Sequence, residues 1–336
     1  MSERVIVGLS GGVDSAVAAL LLKDAGHDVQ GLFMSNWEED DDGYCTAAQD
    51  YQDARAVAAE LGIALHRASF ARQYREQVFG EFLREHRAGR TPNPDVLCNR
   101  EIKFGVALEW AQRLGASHFA TGHYARLEPS PEGGALYKAR DDAKDQSYFL
   151  HAVSRAQLSR TLMPLGELEK SAVRERARRS GLPVFDKPDS TGICFIGERP
   201  FRAFLTRFLP VTPGPIESPS GERLGTHQGL AFHTLGQRGG HDHPLLSSEA
   251  LATGAWHWLA SPRRQPFRCG VKVRYRQADE PALLEPRSDG TVRVRFERPQ
   301  RAVTPGQYAV AYEGERCLGG AVIESIEPRV RESAAA

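Results

Sequence analysis

The chain has 336 residues, which is the length of two or three domains of ordinary size and enough to bury a hydrophobic core without disulfides. Hydrophobic residues make up 41% of the chain and charged residues 26%, which excludes a disordered or fibrous protein. The 43 basic and 43 acidic side chains cancel, so only a local cluster of basic residues could support binding to a nucleic acid.

Cysteine usage and apolar runs indicate the compartment. The five cysteines are odd in number, are spread along the chain and include no pair at the short spacing of a zinc site or a redox motif. That pattern is typical of reduced cytosolic thiols. No apolar run approaches the roughly 20 residues of a membrane-spanning helix, and the run at 5–9 is too short for a signal peptide. We therefore expect a soluble, cytoplasmic protein without a membrane partner.

Residues 1–125 alternate between the patterns of buried strands and of helices. The strand patterns lie at 5–9, 29–34, 63–65 and 118–121, and the helix patterns at 13–25, 46–61, 74–88 and 102–114. Strands that alternate with helices of this length predict an α/β fold with a doubly wound parallel sheet covered on both faces.

The rest of the chain has a different pattern. Residues 157–180 are predicted to be helical and basic, and residues 210–266 are rich in proline, glycine, serine and histidine. From residue 267 onward, turn residues separate β-branched stretches at 269–275, 291–296, 308–312 and 317–323, which predicts a small antiparallel β-barrel. We therefore predict a catalytic domain at 1–209, whose helical segment at about 159–187 could pack with the next domain, a small middle domain at 210–265 and a barrel at 266–336.

The strongest chemical signal lies between the first strand and the first helix, in the sequence Ser10, Gly11, Gly12, Val13, Asp14 and Ser15. Consecutive glycines let the backbone approach a ligand, and a helix start offers free N–H groups and a positive dipole end to an anion. The hydroxyls of Ser10 and Ser15 add donors. Asp14 would repel a phosphate, so we expect it to hold Mg²⁺ or to fix the loop.

This stretch resembles the SGGxDS PP-loop of the N-type ATP pyrophosphatases, which bind ATP and release pyrophosphate. It is neither the GxxxxGK[ST] loop nor the GxGxxG loop. Several amide-forming synthetases share the PP-loop, so the loop alone does not name a substrate.

Two cysteines are candidates for chemistry. Cys98 follows two prolines, and we predict that it lies just before a helix capped by Asn99, where a thiolate would be stabilised and nucleophilic. Cys194 is framed by Gly192 and Gly197, in a segment suited to presenting one side chain at a site. The alternative for each is a small buried apolar residue. Because the two lie far apart in sequence, only the fold can bring them together.

A resemblance to one family extends over nearly the whole chain. The motifs SGGVDS, FMSNWEEDDDGYCTAAQD, GRTPNPDVLCNREIKF, TGHYAR, KDQSYFL, DSTGICFIGER, HTLGQR, VRYRQ and TPGQ occur in the same order as in the bacterial tRNA-specific 2-thiouridylases, the MnmA/TrmU family. The resemblance implies ATP-dependent 2-thiolation of the wobble uridine of tRNA, U34. In that reaction ATP adenylates O2 of the base, pyrophosphate leaves, a persulfide sulfur replaces the activated oxygen and AMP leaves.

The resemblance also assigns roles to residues. It implies that Cys98 is the nucleophile, that Cys194 carries the persulfide, that the two form a transient disulfide, and that Asp95 is an acid–base group. It implies that ATP and Mg²⁺ are held by Gly8, Leu9, Ser10, Gly11, Gly12, Val13, Asp14 and Ser15, with Met34 and Gly122 beside the adenosine. It implies tRNA contacts from Asn93, Pro94, Asp95, His123, Lys144, Asp145, Gln146, Arg274, Tyr275 and Gln307.

The same resemblance implies the partners. The substrate would be the anticodon stem-loop of tRNA, and a sulfur-relay protein or a cysteine desulfurase would supply the sulfur. ATP, Mg²⁺ and persulfide sulfur would be used, with no permanently bound cofactor. The middle domain departs from the family, because the chain after Gly240 is shortened.

Basic clusters compensate for the zero net charge. Residues 263–276 contain six basic residues and no acid, and residues 170–179 contain five basic residues and one acid. Such clusters would give salt-sensitive contacts with phosphates, and Tyr275 could stack on a splayed base; the alternative is a solvated face of a sheet. The cluster of His241, Asp242 and His243 could suggest a metal, but we expect a solvated loop.

Two other functions remain open. A PP-loop synthetase that forms an amide would not need Cys98 and Cys194 together. A tRNA-binding module that has lost its chemistry would not need the intact loop from Ser10 to Ser15.

Overall fold

The computed structural model describes residues 3–37, 47–131, 133–189, 201–218, 220–236 and 246–328. Helices and strands alternate at the N-terminus, as predicted. The first elements are β1 (Arg4–Gly8), α1 (Val13–Asp24), β2 (Asp28–Ser35), α2 (Ala47–Leu61), β3 (Leu65–Ser69), α3 (Ala71–Tyr74), a π-helical segment (Arg75–Phe79), α4 (Gly80–Arg87), α5 (Pro94–Leu97), a second π-helical segment (Cys98–Val106), α6 (Ala107–Arg113) and β4 (His118–Ala120).

A mixed region follows and completes the first sheet. Its elements are β5 (Arg126–Ser130), β6 (Gly133–Tyr137), α7 (Ser147–Leu150), α8 (Arg155–Leu158), β7 (Thr161–Leu162), α9 (Lys170–Arg179) and α10 (Phe201–Leu205). The parallel sheet has the strand order β3-β2-β1-β4-β7. The predicted doubly wound parallel sheet is therefore confirmed.

The two faces of this sheet carry separate cores. Side chains alternate along a strand, so Val5 and Val7 of β1 point to one face and Ile6 to the other. Val5 and Val7 belong to the hydrophobic cluster that contains α1, α2 and α9, whereas Ile6 belongs to the cluster that contains the helix of Cys98. The sheet thus separates the helix that begins at the PP-loop from the helix that carries Cys98.

The helix predicted at 102–114 begins earlier, at Pro94. Proline suits the first position of a helix because it has no N–H to leave unpaired, and Asn93 caps this start by accepting the Asp95 N–H at 3.2 Å. The prediction that Cys98 lies just before a helix start is therefore wrong. Cys98 lies inside the helix, and Asn99 is not its cap.

The continuous helix predicted at 157–180 is also wrong. Helix α8 ends at Leu158, β7 then pairs with β4, and α9 begins only at Lys170. Pro164 and Gly166 lie in the break, where both residue types disfavour a helix. Helix α9 packs on α1, so this segment belongs to the first domain's core.

The C-terminal half forms a hairpin and a barrel. Its elements are β8 (Gly214–Glu217), β9 (Arg223–His227), a 3₁₀ helix (Leu230–Phe232), β10 (Ser247–Ala255), β11 (His257–Trp258), β12 (Phe267–Lys272), β13 (Glu280–Pro286), β14 (Thr291–Arg301), β15 (Tyr308–Glu313) and β16 (Arg316–Pro328). Strands β8 and β9 pair only with each other. Six strands close a barrel in the order β10-β14-β13-β12-β15-β16, and β16 pairs back with β10. The predicted antiparallel barrel is confirmed.

The barrel starts before the predicted limit at residue 266, because β10 is one of its strands. The sequence did not predict β10 or β13, since β10 consists mostly of small residues and β13 contains two prolines. Arg274 and Tyr275 lie beyond the end of β12, in a turn and not on a strand.

In the described part of the chain, no helix combines the length and the apolar character needed to cross a membrane.

The barrel packs directly on the first domain. The Tyr148 hydroxyl donates a hydrogen bond of 3.0 Å to the Tyr308 carbonyl in the barrel, and both side chains are buried. Lys138 on the first domain forms an ion pair of 2.5 Å with Asp279. Strand β6 continues the barrel's sheet, since Tyr137 pairs with Arg316.

Replacing Tyr148 with Phe tests this interface. Removing a buried donor leaves the Tyr308 carbonyl unsatisfied, so we expect the free energy of unfolding to fall by about 1–2 kcal/mol. Urea denaturation measures it. Tyr137→Phe is the matched control, because this half-exposed side chain contacts Arg126 through its ring and its hydroxyl has no hydrogen bond among the described residues. Equal stability of the two variants would contradict the role given to the Tyr148 hydroxyl.

Candidate active site

The PP-loop is held in shape by its own side chains. The Ser15 hydroxyl accepts the Ser10 N–H at 3.2 Å and donates to the Gly12 carbonyl at 3.0 Å. Gly11 has φ +77°, and a β-carbon there would collide with the Asp50 carbonyl of α2. A glycine is therefore required at this position by both the backbone conformation and the neighbouring helix. Gly12 is the N-cap of α1 and leaves the helix start open.

Asp14 is bound by two side chains from distant parts of the chain. Its carboxylate accepts the Lys170 ammonium at 2.7 and 2.8 Å and the Tyr124 hydroxyl at 2.8 Å. Burial and the Asp14 charge raise the pKa of Tyr124, so this phenol stays protonated and donates. These contacts anchor Asp14 to two other parts of the chain, and its binding of Mg²⁺ stays a prediction. Within the described ranges, no cluster of three or more potential metal ligands is present.

The residues predicted beside the nucleotide meet at the carboxyl ends of neighbouring strands. Gly122 follows β4, and a β-carbon on it would lie 2.7 Å from backbone atoms of Asp14 and Ser15. Met34 near the end of β2 is half-buried, and its Cε atom lies 3.4 Å from the β-carbon position of Gly8. Ligands of open parallel sheets bind at this edge, so the predicted nucleotide site is assembled in one place.

A group of lysines around the loop was not predicted as part of the site. Lys187 donates to the Gly11 carbonyl at 3.0 Å and pairs with Asp50 and Asp53 on α2. Lys170 lies on α9, in the run predicted only as an RNA-binding cluster. No local sequence signal could identify these contacts, because they depend on how α9 packs against α1.

Asp189 connects Lys170 to the chain that leads toward Cys194. Its carboxylate pairs with Lys144, Lys170 and Arg174, each at 2.8 Å. Although burial alone would raise the pKa of Asp189, the hydrogen bonds from Lys144 and Lys170 hold it at about 2. Lys170 therefore joins the PP-loop aspartate to Asp189.

The helix that starts at Pro94 presents the second half of the site. Cys98 is 2% exposed and lies one turn after Asp95. Burial raises the pKa of Asp95, and the Lys103 ammonium opposes that rise. A carboxyl group in this setting is suited to taking up and releasing a proton.

The barrel holds the segment in front of this helix. Gln307 donates to the carbonyls of Thr91 and Pro92 at 2.8 and 3.2 Å, and the Thr91 N–H donates to the Pro305 carbonyl at 3.0 Å. Asn93 lies next to the same carboxamide, at 3.5 Å. Gln307 thus has a structural contact within the protein, and its contact with tRNA stays a prediction.

Several other residues predicted to contact tRNA form hydrogen bonds or ion pairs within the protein. His123 is buried beside Thr121 at 2.8 Å, and burial, together with the Lys103 charge, keeps its pKa well below the ordinary value. Asp145 is buried and accepts N–H groups of the surrounding loop. Gln146 accepts the Tyr124 N–H at 3.0 Å. Lys144 is half-exposed and pairs with Asp189, as described above.

Arg274 and Tyr275 lie where the barrel meets the Lys144–Leu150 region. Arg274 donates to the Ala302 carbonyl at 2.6 Å and to the Leu235 carbonyl at 3.3 Å. The ring of Tyr275 packs against Phe149, with a centroid distance of 4.4 Å. The turn that contains Arg274 and Tyr275 therefore packs against the first domain, and its contacts with RNA stay a prediction.

The remaining cysteines divide into two groups. Burial raises the pKa of Cys269 and of Cys317 to about 12, which disfavours the thiolate form of both. Cys45 and Cys194 lie outside the described residues, as do His241, Asp242 and His243. Among the described residues no disulfide is present, and the pairing of Cys98 with Cys194 stays a prediction.

The parallel sheet, the SGGVDS loop and the closed barrel define the class: a PP-loop protein whose α/β domain is joined to a C-terminal β-barrel. Family comparison matches residues 3–198 to the tRNA methyl transferase HUP domain, 202–245 to the tRNA methyl transferase PRC-barrel domain and 248–323 to the aminomethyltransferase beta-barrel domain. The chain belongs to the tRNA-specific 2-thiouridylase (MnmA) family.

Curated relatives cover nearly the whole length of the chain. It is 51% identical to the tRNA-specific 2-thiouridylase MnmA of Burkholderia mallei (strain SAVP1), over 96% of this chain and 94% of that protein. It is 52% identical to the protein of the same name from Alkalilimnicola ehrlichii, over 97% and 99%. A solved structure of the U34-tRNA thiolase NcsA from Methanococcus maripaludis aligns with a TM-score of 0.38 and 17% identity, over 57% of this chain and 60% of that one. A likeness of that size carries no weight for function.

Replacing Lys170 with Met tests the charge arrangement at the loop. The Asp14 carboxylate would then face an incoming phosphate with no ammonium beside it. A hydrogen bond to a charged group contributes about 1.5–3 kcal/mol, so we expect ATP to bind about 10- to 100-fold more weakly. Isothermal titration calorimetry measures the affinity. Arg176→Met on the same helix, which removes an exposed partner of Asp24, is the control. If the Lys170→Met variant binds ATP with unchanged affinity, then Lys170 is not needed to neutralise the Asp14 charge for ATP binding.

Proposed function

We propose that the protein is an ATP-dependent tRNA sulfurtransferase that replaces O2 of the wobble uridine, U34, with sulfur. Its 51–52% identity to proteins named tRNA-specific 2-thiouridylase extends over nearly the whole chain. The same proposal makes the anticodon stem-loop of tRNA its substrate, a relay protein or a cysteine desulfurase its sulfur donor, and the cytoplasm its location.

One observation carries the proposal: the PP-loop and the Asp95 helix share one edge of the sheet. Gly122 touches the first turn of α1, and the next residue, His123, lies 5.6 Å from the ring of Phe104 on the Asp95 helix. The Lys103 charge acts on both His123 and Asp95. An activated nucleotide at the loop and a base beside Asp95 would therefore be neighbours.

The residues suit the first half of the reaction. Asp95 takes the N3 proton of uracil, the O2 atom attacks the α-phosphorus of ATP, and pyrophosphate leaves with the electron pair of the broken bond. The open start of α1 and the N–H groups of the loop would bind the phosphates. Asp14 is the carboxylate that would hold Mg²⁺, and this ion would neutralise phosphate charge. Until Mg²⁺ binds, Lys170 would neutralise the negative charge of Asp14.

Sulfur then enters as a nucleophile. A persulfide on Cys194 supplies sulfur to C2 of the base and AMP leaves, while the Cys98 thiolate attacks the Cys194 sulfur and breaks the S–S bond of the persulfide. The products are 2-thiouridine and a Cys98–Cys194 disulfide, which an external thiol reductant must reduce with two electrons before the next turnover. Cys98 is supported in this role by its place one turn after Asp95.

A Cys194→Ser variant tests the proposal. We expect it to bind ATP normally and to form no 2-thiouridine, because serine cannot carry the transferable sulfur. Mass analysis of nucleosides from modified tRNA gives the readout, and Cys269→Ser, which alters a cysteine on the barrel strand β12, is the matched control.

Other outcomes separate the alternatives. Unchanged thiolation in Cys194→Ser would refute the persulfide role. Pyrophosphate release that depends on an amino acid and not on tRNA would indicate an amide-forming synthetase. Binding of tRNA without any nucleotide turnover by the wild-type protein would indicate a module without chemistry. Loss of 2-thiouridine at the wobble position in cells lacking the protein would confirm the reaction in vivo.

A further inference from the structure

Three polar side chains form a stripe on the helix that carries Cys98. Asp95, Asn99 and Lys103 are spaced by four residues, and the segment Cys98–Val106 is π-helical. In a π-helix the hydrogen bonds join residues five apart, so side chains four to five positions apart lie on the same face. The stripe therefore runs beside Cys98, which is itself five residues before Lys103.

Lys103 is a half-buried cation without an ion-pair partner in the described part of the chain. The groups on which its charge acts are Asp95, on its own helix, and His123, in the loop after β4. His123 is neutral, as shown above. Withdrawing a charge from water is costly unless an anion compensates it. We therefore expect an anion to lie close to the Lys103 ammonium.

Asn99, the residue between Asp95 and Lys103, is only partly paired. Asn99 is 3% exposed, and its amide nitrogen donates to the Phe149 carbonyl at 3.4 Å. Its Oδ1 atom is buried and accepts no hydrogen bond from the residues that the structure describes. Buried acceptors are nearly always paired, so an unpaired one beside a reactive cysteine indicates a position where a donor of the substrate belongs.

We propose that Lys103 supplies the positive charge for the successive anions of this site. This inference rests on the proposed function. Before the reaction the anion is the ionised Asp95 carboxylate. When Asp95 takes the N3 proton, the N–H bond breaks, an O–H bond forms, and the negative charge moves to N3 and O2 of the uracil. O2 then attacks the α-phosphorus. Lys103 therefore faces one negative charge before the proton transfer, on Asp95, and one after it, on the uracil. The transfer creates no additional pair of separated charges.

Lys103→Met and Lys103→Arg test this proposal, with Arg113→Met as the control that removes an exposed cation near the end of the same helix. The measurement is the single-turnover rate of tRNA-dependent pyrophosphate release, the product of the adenylation step, as a function of pH. We expect Lys103→Met to slow this step by about 100-fold, the typical effect of one electrostatic group in an active site. Lys103→Arg keeps the charge and should keep most of the rate.

The pH profile separates this role from a structural one. Asp95 must be ionised to accept a proton, and a nearby positive charge favours its ionised form. Removing that charge raises the pKa of Asp95 further, so the acid limb of the rate profile should move to higher pH in Lys103→Met and stay in place in Lys103→Arg. A wild-type profile in Lys103→Met, or equal losses in both variants with no movement of the limb, overturns the proposal.

A second measurement does not depend on activity. Carbon-13 NMR of labelled aspartates, with Asp95→Asn to assign the signal, follows the titration of Asp95 in wild type and in Lys103→Met. A higher Asp95 pKa in Lys103→Met supports the pairing even if the wild type makes no 2-thiouridine, in which case only the proposed function fails. An unchanged Asp95 titration overturns the role of Lys103 whether or not thiolation is observed.

Discussion

The architecture around the nucleotide site follows from one electrostatic constraint: a carboxylate lies inside a loop that binds an anion. Asp14 is in the first turn of α1, where a negative charge is favourable with respect to the helix dipole but repels a phosphate. Lys170 removes this conflict by pairing with both carboxylate oxygens. Lys170 can reach Asp14 only if α9 packs against α1, so the charge on the loop determines where a helix from a distant part of the chain must lie.

Lys170 and the barrel connect the PP-loop to the other parts of the predicted site. Lys170 also pairs with Asp189, which is the last residue described before the segment that contains Cys194. On the opposite face of the sheet, the barrel holds the backbone of Thr91 and Pro92 through Gln307. The start of the Asp95 helix is thus positioned by a domain that is far away in sequence. A barrel residue predicted to touch RNA therefore also positions the start of the helix that carries Asp95 and Cys98.

Local signals were sufficient for the class of fold and for the loop. The run from β1 through SGGVDS into α1 is contiguous, so strand, turn and helix signals coincide there. Pro94 shows the limit of such signals, since a proline is compatible with an extended segment and with the first position of a helix. The capping contact of Asn93 decides between them. The pairing of Lys170 with Asp14 and the strand β10, built from small residues, depend on tertiary packing and have no local signature.

Basic side chains in the two clusters differ in their burial, and burial decides how easily each one can exchange its partner. Lys170 is 12% exposed and bound to two carboxylates, and removing one partner from such a pair leaves a charge that is costly to bury. Arg268 is 75% exposed and pairs with Glu297 on the barrel surface. Exposed ion pairs contribute only about 0–1 kcal/mol, so Arg268 can exchange Glu297 for a phosphate at little cost. An exposed arginine of this kind suits the RNA contact predicted for the cluster at 263–276, which stays a prediction, whereas Lys170 and Arg174 of the cluster at 170–179 are bound to the carboxylates of Asp14 and Asp189.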